Sequence, residues 1–317
     1  MESQYKMDFP LVSILIPLYN AQQYIEETIT RTLKQTYPNI ELIIVDDHST
    51  DSSLEIAQKY ASKIVHIYSN PKKGGNAARN YAFEKCNGEY VKFMDADDYM
   101  DDCMIEDQLK RLLIEEDPEN CVAFSPVIMR FANDRDQYQQ SRNIDHDYTP
   151  GIELLIDIWR GKGWHCPHCH LMHRSLVEKA NLWDETVLKN QDGEFFARIY
   201  AVASKAISIK TVNAIWLQTH NGVSKQTSEK AWRSFFETHR RIAELILSYK
   251  NDEDTKLNCS RYICTSLFEH YPIPDDCIEA QKLFLKKHNM KFIVPDKRRY
   301  KYLSLLFGWK FTLKHFT

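Results

Sequence analysis

Apolar runs and helical repeats alternate over the first hundred residues of this chain. Four short runs rich in β-branched residues predict buried strands, because strands covered on both faces are apolar along their whole length. The runs are LVSILIP (11–17), IELIIV (40–45), KIVHIY (63–68) and EYVKFM (89–94). Between them, apolar residues recur at helical spacing, as at Ile25, Ile29 and Leu33. This alternation predicts an α/β fold with a mostly parallel sheet and helices on both faces.

Polar and acidic residues follow three of these strands, in PLYN, VDDHSTD and FMDADD. Ligands of such sheets bind beyond the carboxyl ends of the strands, so we expect a site at this edge. Asp95 and Asp97 are hard oxygen ligands that suit Mg²⁺ or Mn²⁺ holding a diphosphate. The alternative is a solvated acidic turn before the next helix. Asp47 suits a nucleobase or a ribose hydroxyl, and its alternative is a helix cap.

Glycine fingerprints for other nucleotide sites are missing from the sequence. No G-x-G-x-x-G follows the first strand, and no G-x-x-x-x-G-K-[ST] occurs in the chain. Dinucleotide binding and P-loop chemistry therefore lose their main support.

The pattern changes after residue 224. Apolar residues at helical spacing in EKAWRSFFETHRRIAELILSYK (229–250) predict helices packed on the core. We therefore expect a helical C-terminal region at 225–317, after the α/β part of the chain at 1–224. Its last part, 296–317, joins aromatic, leucine and basic residues. Such a segment suits an anionic membrane surface, and it equally suits a helix docked on the protein with a solvated basic face.

Charge and composition indicate the partners of the protein and its place in the cell. The formal charge of the 317 residues is −3, yet residues 282–317 hold ten lysines and arginines and one acid, Asp296. A basic end on an acidic body suggests phosphates or anionic lipid as partners, and we expect no nucleic acid. With no signal peptide and no apolar run of about 18 residues, we expect a cytoplasmic protein, peripheral at the plasma membrane. The eight cysteines are then expected to be free thiols.

The segment WHCPHCHLMHR (164–174) concentrates cysteine and histidine. Its C-x-x-C-H pattern is that of haem attachment, which needs an exported chain. A zinc or thiol protein using residues 165–173 is a second interpretation, although no second C-x-x-C supplies the remaining ligands of a tetrahedral site. The third interpretation is a polar, partly buried strand that lines a site.

The sequence resembles family 2 glycosyltransferases over 12–53 and 70–100, and more loosely over LMHRSLVEKANLWDETVLKNQDGEFFARIY (171–200). The resemblance stops near residue 224, so it implies a nucleotide-sugar-binding and catalytic domain with the GT-A fold at 1–224. It implies an inverting, metal-dependent glycosyltransferase with Mn²⁺ or Mg²⁺. It implies a nucleotide-sugar donor, expected to be a UDP-sugar, and a hydroxyl of a glycan or glycolipid acceptor. Lipopolysaccharide and capsule biosynthesis are the expected settings. An alternative is a nucleotide-sugar-binding module with weak or no turnover.

The resemblance also implies roles for individual residues. For the donor, Pro17 and Tyr19 line the base pocket, Asp47 holds the base, and Asn70 and Arg79 reach the base, ribose or phosphates. For the metal, Asp95 and Asp97 form the D-x-D motif, with Asp97 as the direct ligand and His220 as a third metal or diphosphate contact. A plain surface or core histidine is the alternative for His220.

The same resemblance makes Asp192 the catalytic base. Gln191 stands where most relatives have a glutamate, which removes one carboxylate from the acceptor side and motivates the binding-module alternative. Trp164, His165 and His168 lie just before this segment of the family pattern. We expect these three residues to stack on the acceptor sugar or to hydrogen-bond to it, and we expect Gln191 to contact the acceptor as well.

Overall fold

A computed structural model describes residues 9–131, 137–139, 143–218 and 226–295. Eleven strands lie in this part of the chain. They are β1 (Val12–Leu18), β2 (Ile40–Asp46), β3 (Val65–Ser69), β4 (Tyr90–Phe93), β5 (Tyr99–Met100), β6 (Cys121–Phe124), β7 (Val127–Phe131), β8 (Gln137–Gln139), β9 (His170–His173), β10 (Lys205–Ser208) and β11 (Ala214–Gln218).

The same part of the chain contains ten α-helices and two 3₁₀ turns. The helices are α1 (Ile25–Thr32), α2 (Ser53–Gln58), α3 (Gly75–Lys85), α4 (Met104–Leu112), α5 (Ile152–Trp159), α6 (Arg174–Lys179), α7 (Gln191–Val202), α8 (Glu229–Tyr249), α9 (Glu253–Glu269) and α10 (Asp275–Lys287). The 3₁₀ turns are Pro118–Asn120 and Pro167–Cys169.

The main sheet has seven strands in the order β10-β6-β9-β4-β1-β2-β3. The four strands predicted from the apolar runs form its parallel half, β4-β1-β2-β3. All seven residues of β2 are buried, as expected for a strand covered on both faces. Strand β9 is antiparallel to both β4 and β6, which makes the sheet mixed. The predicted α/β fold with a mostly parallel sheet is confirmed.

Register places the polar ends of these strands together. Leu18 at the end of β1 pairs with Asp46 at the end of β2, and Asp46 pairs with Ser69 at the end of β3. Strand β4 ends at Phe93, two residues before Asp95, on the other side of β1. The parallel arrangement therefore brings the predicted donor residues to one edge.

A second, four-stranded sheet has the order β5-β11-β7-β8. Strand β5 begins directly after the acidic turn at 95–98 and pairs antiparallel with β11. The turn therefore lies at the junction of the two sheets.

Helices α8 to α10 confirm the predicted helical C-terminal region. Ile242, Ala243 and Ile246 of α8 belong to the same hydrophobic core as the main sheet. The predicted boundary after residue 224 falls in 219–225, outside the described residues, and stays a prediction. Among the described helices, none has the length and apolar character needed to cross a membrane.

Candidate functional site

The carboxylate of Asp47 is fixed in place at the end of β2. Its Oδ1 accepts hydrogen bonds from Asn70 Nδ2 at 2.7 Å and from the Gly74 amide at 2.8 Å, and Oδ2 lies 3.0 Å from the same amide. Gly74 has φ +132°, a backbone conformation that suits glycine. The structure therefore brings together two predicted donor residues, Asp47 and Asn70, in a buried and pre-oriented arrangement.

Pro17 and Tyr19 lie beside this arrangement at the end of β1. Pro17 is half-buried, whereas the Tyr19 side chain is 51% exposed at the edge of the sheet. Tyr19 follows Leu18, whose carbonyl accepts from the Asp47 amide at 2.7 Å, and an exposed aromatic ring is suited to stacking on a planar base. The predicted role in a base pocket is compatible with this placement and stays a prediction.

The D-x-D turn follows β4. Asp95 Oδ1 accepts a hydrogen bond from Arg79 Nη2 at 2.8 Å, and both Asp95 and Asp97 are half-buried. The turn is anchored from α1, where Thr28 Oγ1 donates to the Ala96 carbonyl at 2.9 Å. Two carboxylates are thus held at the edge of the sheet with part of their surface open to solvent.

Asp98, the next carboxylate, is buried, and its contacts hold the D-x-D turn against the interior of the protein. Its Oδ1 accepts from the Leu217 amide of β11 at 2.8 Å, and its Oδ2 lies 3.2 Å from His168 Nδ1. Both side chains are fully buried. Burial raises the pKa of Asp98, while His168 acts in the opposite direction. Asp98 therefore stabilises the conformation of the turn, and it is not exposed as a metal ligand would be.

Arg79 connects the D-x-D turn to the start of α7. While Nη2 holds Asp95, Nη1 lies 3.2 Å from Gln191 Oε1, and the guanidinium lies over the Trp183 ring at 4.6 Å. The other end of the Gln191 amide donates to the Val187 carbonyl at 3.1 Å. In this structure Gln191 is therefore used internally, and its acceptor contact stays a prediction.

Asp192 is the second residue of α7 and is half-buried. Its pKa is raised to about 6, mainly by burial; the charges of Asp95 and Asp98 contribute to this increase and Arg79 opposes it. These interactions show that Asp192 shares one electrostatic environment with the D-x-D turn. A carboxyl group with a pKa near neutrality is suited to proton transfer.

The segment at 164–174 forms a buried polar cluster beneath this site. His165 Nδ1 and His170 Nε2 lie 3.0 and 2.6 Å from the hydroxyl of Tyr200, and His170 Nδ1 lies 3.1 Å from the Pro167 carbonyl. Ligand atoms of His165, Cys169 and His170 lie within 4.8 Å of one another. Protein partners nevertheless occupy both nitrogens of His170, so polar packing accounts for the cluster without a zinc ion.

The burial of this segment also bears on the predicted haem attachment and on the predicted acceptor contacts. Cys166 and Cys169 are buried in the core, which leaves no room for haem attachment. His168 has no exposed surface and pairs with Asp98, so its predicted direct contact with the acceptor is wrong. His165 and Trp164 are partly buried, and Trp164 packs edge-on against Trp216 at 5.2 Å. Their acceptor roles stay predictions.

Lys92 is a functional-site neighbour that the sequence reasoning missed. It lies in β4 with no exposed surface, and its Nζ donates to Gln108 Oε1 at 2.8 Å and to the carbonyls of His168 and His170 at 2.9 and 2.7 Å. Burial lowers the pKa of Lys92 to about 7. The signal was a single lysine inside the apolar run EYVKFM, three residues before Asp95.

Two predicted features lie outside the described residues. His220 belongs to 219–225, and the basic segment is 296–317. Their predicted roles at the metal and at a membrane therefore stay predictions.

Comparison with known proteins agrees with this geometry. The family model "Glycosyl transferase family 2" matches residues 13–180. Glycosyltransferase GlyG of Streptococcus pneumoniae serotype 4 is 41% identical over 256 residues, which are 75% of this chain and 81% of GlyG. An Escherichia coli relative, UDP-Glc:alpha-D-GlcNAc-diphosphoundecaprenol beta-1,3-glucosyltransferase WfaP, is 44% identical over 100 residues, 31% of this chain and 40% of WfaP.

Two other curated relatives are matched over less than half of their own length, 44% and 45%. Among solved structures, S. aureus TarS 1-349 in complex with UDP-GlcNAc has a TM-score of 0.70 at 21% identity, covering 95% of this chain and 88% of that one. At this identity the likeness concerns the fold, which agrees with the predicted GT-A architecture. The extent of the family match and the similarity to GlyG show that this chain belongs to glycosyltransferase family 2.

Proposed function

We propose that this chain transfers a sugar from a nucleotide-diphosphate donor, a UDP-sugar, to a hydroxyl of a glycan or glycolipid acceptor. The observation that carries the proposal is the position of Arg79, which donates to Asp95 and to Gln191. The candidate base Asp192 directly follows Gln191, and its charge interacts with that of Arg79. Family membership supports the reaction class. TarS with UDP-GlcNAc and the UDP-Glc-dependent WfaP support the donor class.

Asp192 would act as the base of a single displacement. Its carboxylate takes the proton of the acceptor hydroxyl while the acceptor oxygen attacks C1 of the sugar and the bond from C1 to the diphosphate breaks. A base works best when its pKa is near the operating pH, and the pKa of Asp192 is raised to about 6. One displacement without a covalent intermediate inverts the anomeric configuration.

Asp95 and Asp97 fit a divalent cation. Both are carboxylates, the donor type that Mg²⁺ and Mn²⁺ prefer, and both are half-buried at the edge of the sheet where the diphosphate would lie. Arg79 already balances one charge of Asp95 and would also face the leaving diphosphate. When bound, the cation would neutralise negative charge that develops on that diphosphate.

Thermal shift against UDP-, GDP-, CMP- and dTDP-sugars, with and without Mn²⁺, tests donor and metal together, because ligand binding stabilises the native state. We expect a Mn²⁺-dependent increase in Tm with UDP-sugars that Asp97→Ala abolishes. Asp102→Asn is the matched control, since Asp102 is an exposed carboxylate five residues further along. The absence of a shift with every donor would contradict the proposal.

Turnover distinguishes a transferase from a binding module. We expect UDP release from donor plus an acceptor panel of lipid-linked and free oligosaccharides, and its loss in Asp192→Asn with donor binding intact. Donor binding without release in the presence of all acceptors would favour the binding module suggested by Gln191.

Peripheral membrane binding at the cytoplasmic face is a further part of the proposal. Its support is the excess of lysine and arginine in 282–317 and the lipid-linked substrate in the name of WfaP. Anionic liposomes should sediment the full chain and should fail to sediment a chain that lacks 296–317. Equal sedimentation of both would remove this part of the proposal.

A further inference from the structure

We propose that α8, in the C-terminal helical region, is a positioning element that fixes the loop leading into the helix that carries the catalytic base. The inference rests on the proposed function, in which Asp192 is that base. The loop is the irregular segment 187–190, directly before α7. Three consecutive residues of this loop are each held by α8 or by the chain leading into it.

The contacts form a short series along the loop. The Leu188 amide donates to Ser234 Oγ at 2.9 Å. Asn190 Nδ2 donates to Thr238 Oγ1 at 2.8 Å. Ser234 and Thr238 are one helical turn apart, so they present two oxygens on the same face of α8.

Lys189, between these two residues, is held as well. Its Nζ donates to the Gln226 carbonyl at 2.8 Å and lies 3.7 Å from the centre of the Trp232 ring. Lys189 is 6% exposed, so its charge is stabilised by this carbonyl and ring rather than by water. The loop therefore depends on α8 for its polar contacts as well as for its packing.

The conformation of the loop explains why such support is needed. Asn190 adopts φ 63°, a left-handed conformation that costs free energy in a residue other than glycine. Its side chain lies over the first turn of α7, because a Cβ on Gly193 would approach Asn190 Oδ1 to 2.3 Å. Asn190 thus sets the entry into α7 two residues before Asp192.

Thr238 is suited to hold Asn190 in this state. It is 1% exposed, and its hydroxyl donates to the Phe235 carbonyl at 2.7 Å, which leaves Oγ1 as acceptor for the Asn190 amide. Removing the hydroxyl takes this partner from the half-buried Asn190 amide and frees the side chain that shapes the start of α7. Misplacement of a base by about 1 Å can lower a rate by about 100-fold.

The decisive variants are Thr238→Val, which keeps the shape and removes the hydroxyl, and Ser234→Ala. Thr238→Ser restores the hydroxyl. Ser248→Ala is a control on the same helix, because the exposed Ser248 hydroxyl donates to the Leu245 carbonyl of α8 at 2.7 Å. We expect kcat to fall about 10-fold to 100-fold in Thr238→Val, with the donor KM within about twofold of wild type. Thr238→Ser should recover most of kcat, and Ser248→Ala should match wild type.

Hydrogen exchange of residues 187–194 provides a readout that does not depend on turnover. Exchange in this segment should become faster in Thr238→Val and stay unchanged in Ser248→Ala. Unchanged exchange, or an unchanged kcat in Thr238→Val, would overturn the inference. Faster exchange in Thr238→Val together with full activity of Asp192→Asn would contradict the assignment of the base. It would still support the inference that α8 positions the loop.

Discussion

Replacing Lys92 by methionine tests how much the buried lysine below the D-x-D turn costs in stability. Lys92 is fully buried, and its three acceptors are neutral oxygens of Gln108, His168 and His170. Methionine fills a similar volume without charge or donors. The variant therefore removes a buried cation while leaving three carbonyl-type oxygens to find other partners.

The magnitude follows from the pKa of Lys92, which burial lowers from 10.5 to about 7. One pKa unit corresponds to about 1.4 kcal/mol, so the difference corresponds to about 5 kcal/mol. The three acceptors favour the ammonium form and oppose the lowering of the pKa. The value of about 5 kcal/mol is therefore an upper bound on the cost of burying the charge.

The sign follows from proton binding in the two states. Between about pH 7 and pH 10.5 the unfolded chain keeps the proton on Lys92 and the native protein does not, so wild-type stability rises with pH across this window. Below about pH 7 the full cost of the buried charge is present. Relative to Lys92→Met, we therefore expect wild type to gain up to about 3 kcal/mol between pH 7 and pH 9.

Urea denaturation followed by circular dichroism at pH 6.5, 8 and 9 measures this difference directly. Lys59→Met is the matched control, since the Lys59 side chain is 65% exposed and should give a difference that does not depend on pH. A difference between wild type and Lys92→Met that is flat across this range would refute the reasoning. It would show that the three acceptors fully compensate the buried charge.

Three further predictions concern the site and its support. The rate kcat/KM should fall about tenfold per pH unit below about pH 6, because Asp192 must be ionised to accept a proton, and a pH–rate profile without this limb would exclude Asp192 as the base. Gly88→Ala should lower the unfolding free energy by about 1–3 kcal/mol, measured by denaturation, because its Cβ would lie 2.2 Å from Ser13 Oγ. His168→Ala should lower Tm by leaving the Asp98 carboxylate buried without its partner, whereas a raised acceptor KM at unchanged Tm would return His168 to the acceptor site.

Local patterns in the sequence were sufficient for the parallel half of the sheet and for its ligand-binding edge. Strands β1 and β2 are buried on both faces, and the apolar character that this burial requires is visible in each strand alone. Asp47 directly follows β2 and Asp95 lies two residues after β4, so parallel pairing is enough to bring them to one edge. The motifs around them also identified the family, which the comparisons confirm.

Contacts between distant segments were not predictable in this way. Lys92 and His168 are 76 residues apart in sequence, and Asp98 and Leu217 are 119 residues apart. A histidine-rich and cysteine-rich segment has the same composition whether it binds a metal, meets a sugar or is buried. The carbonyl contacts to Lys92 and the pairing of His168 with Asp98 place it in the interior.

The role of α8 has the same origin. Its apolar spacing predicted a helix packed on the core, and that is what the structure shows. The spacing carried no information about which loop would meet Ser234 and Thr238, because a hydroxyl on a helix is compatible with solvent or with many partners. Residue type and periodicity are properties of a segment, whereas the partner of a buried polar group is fixed when the segments pack and water is excluded.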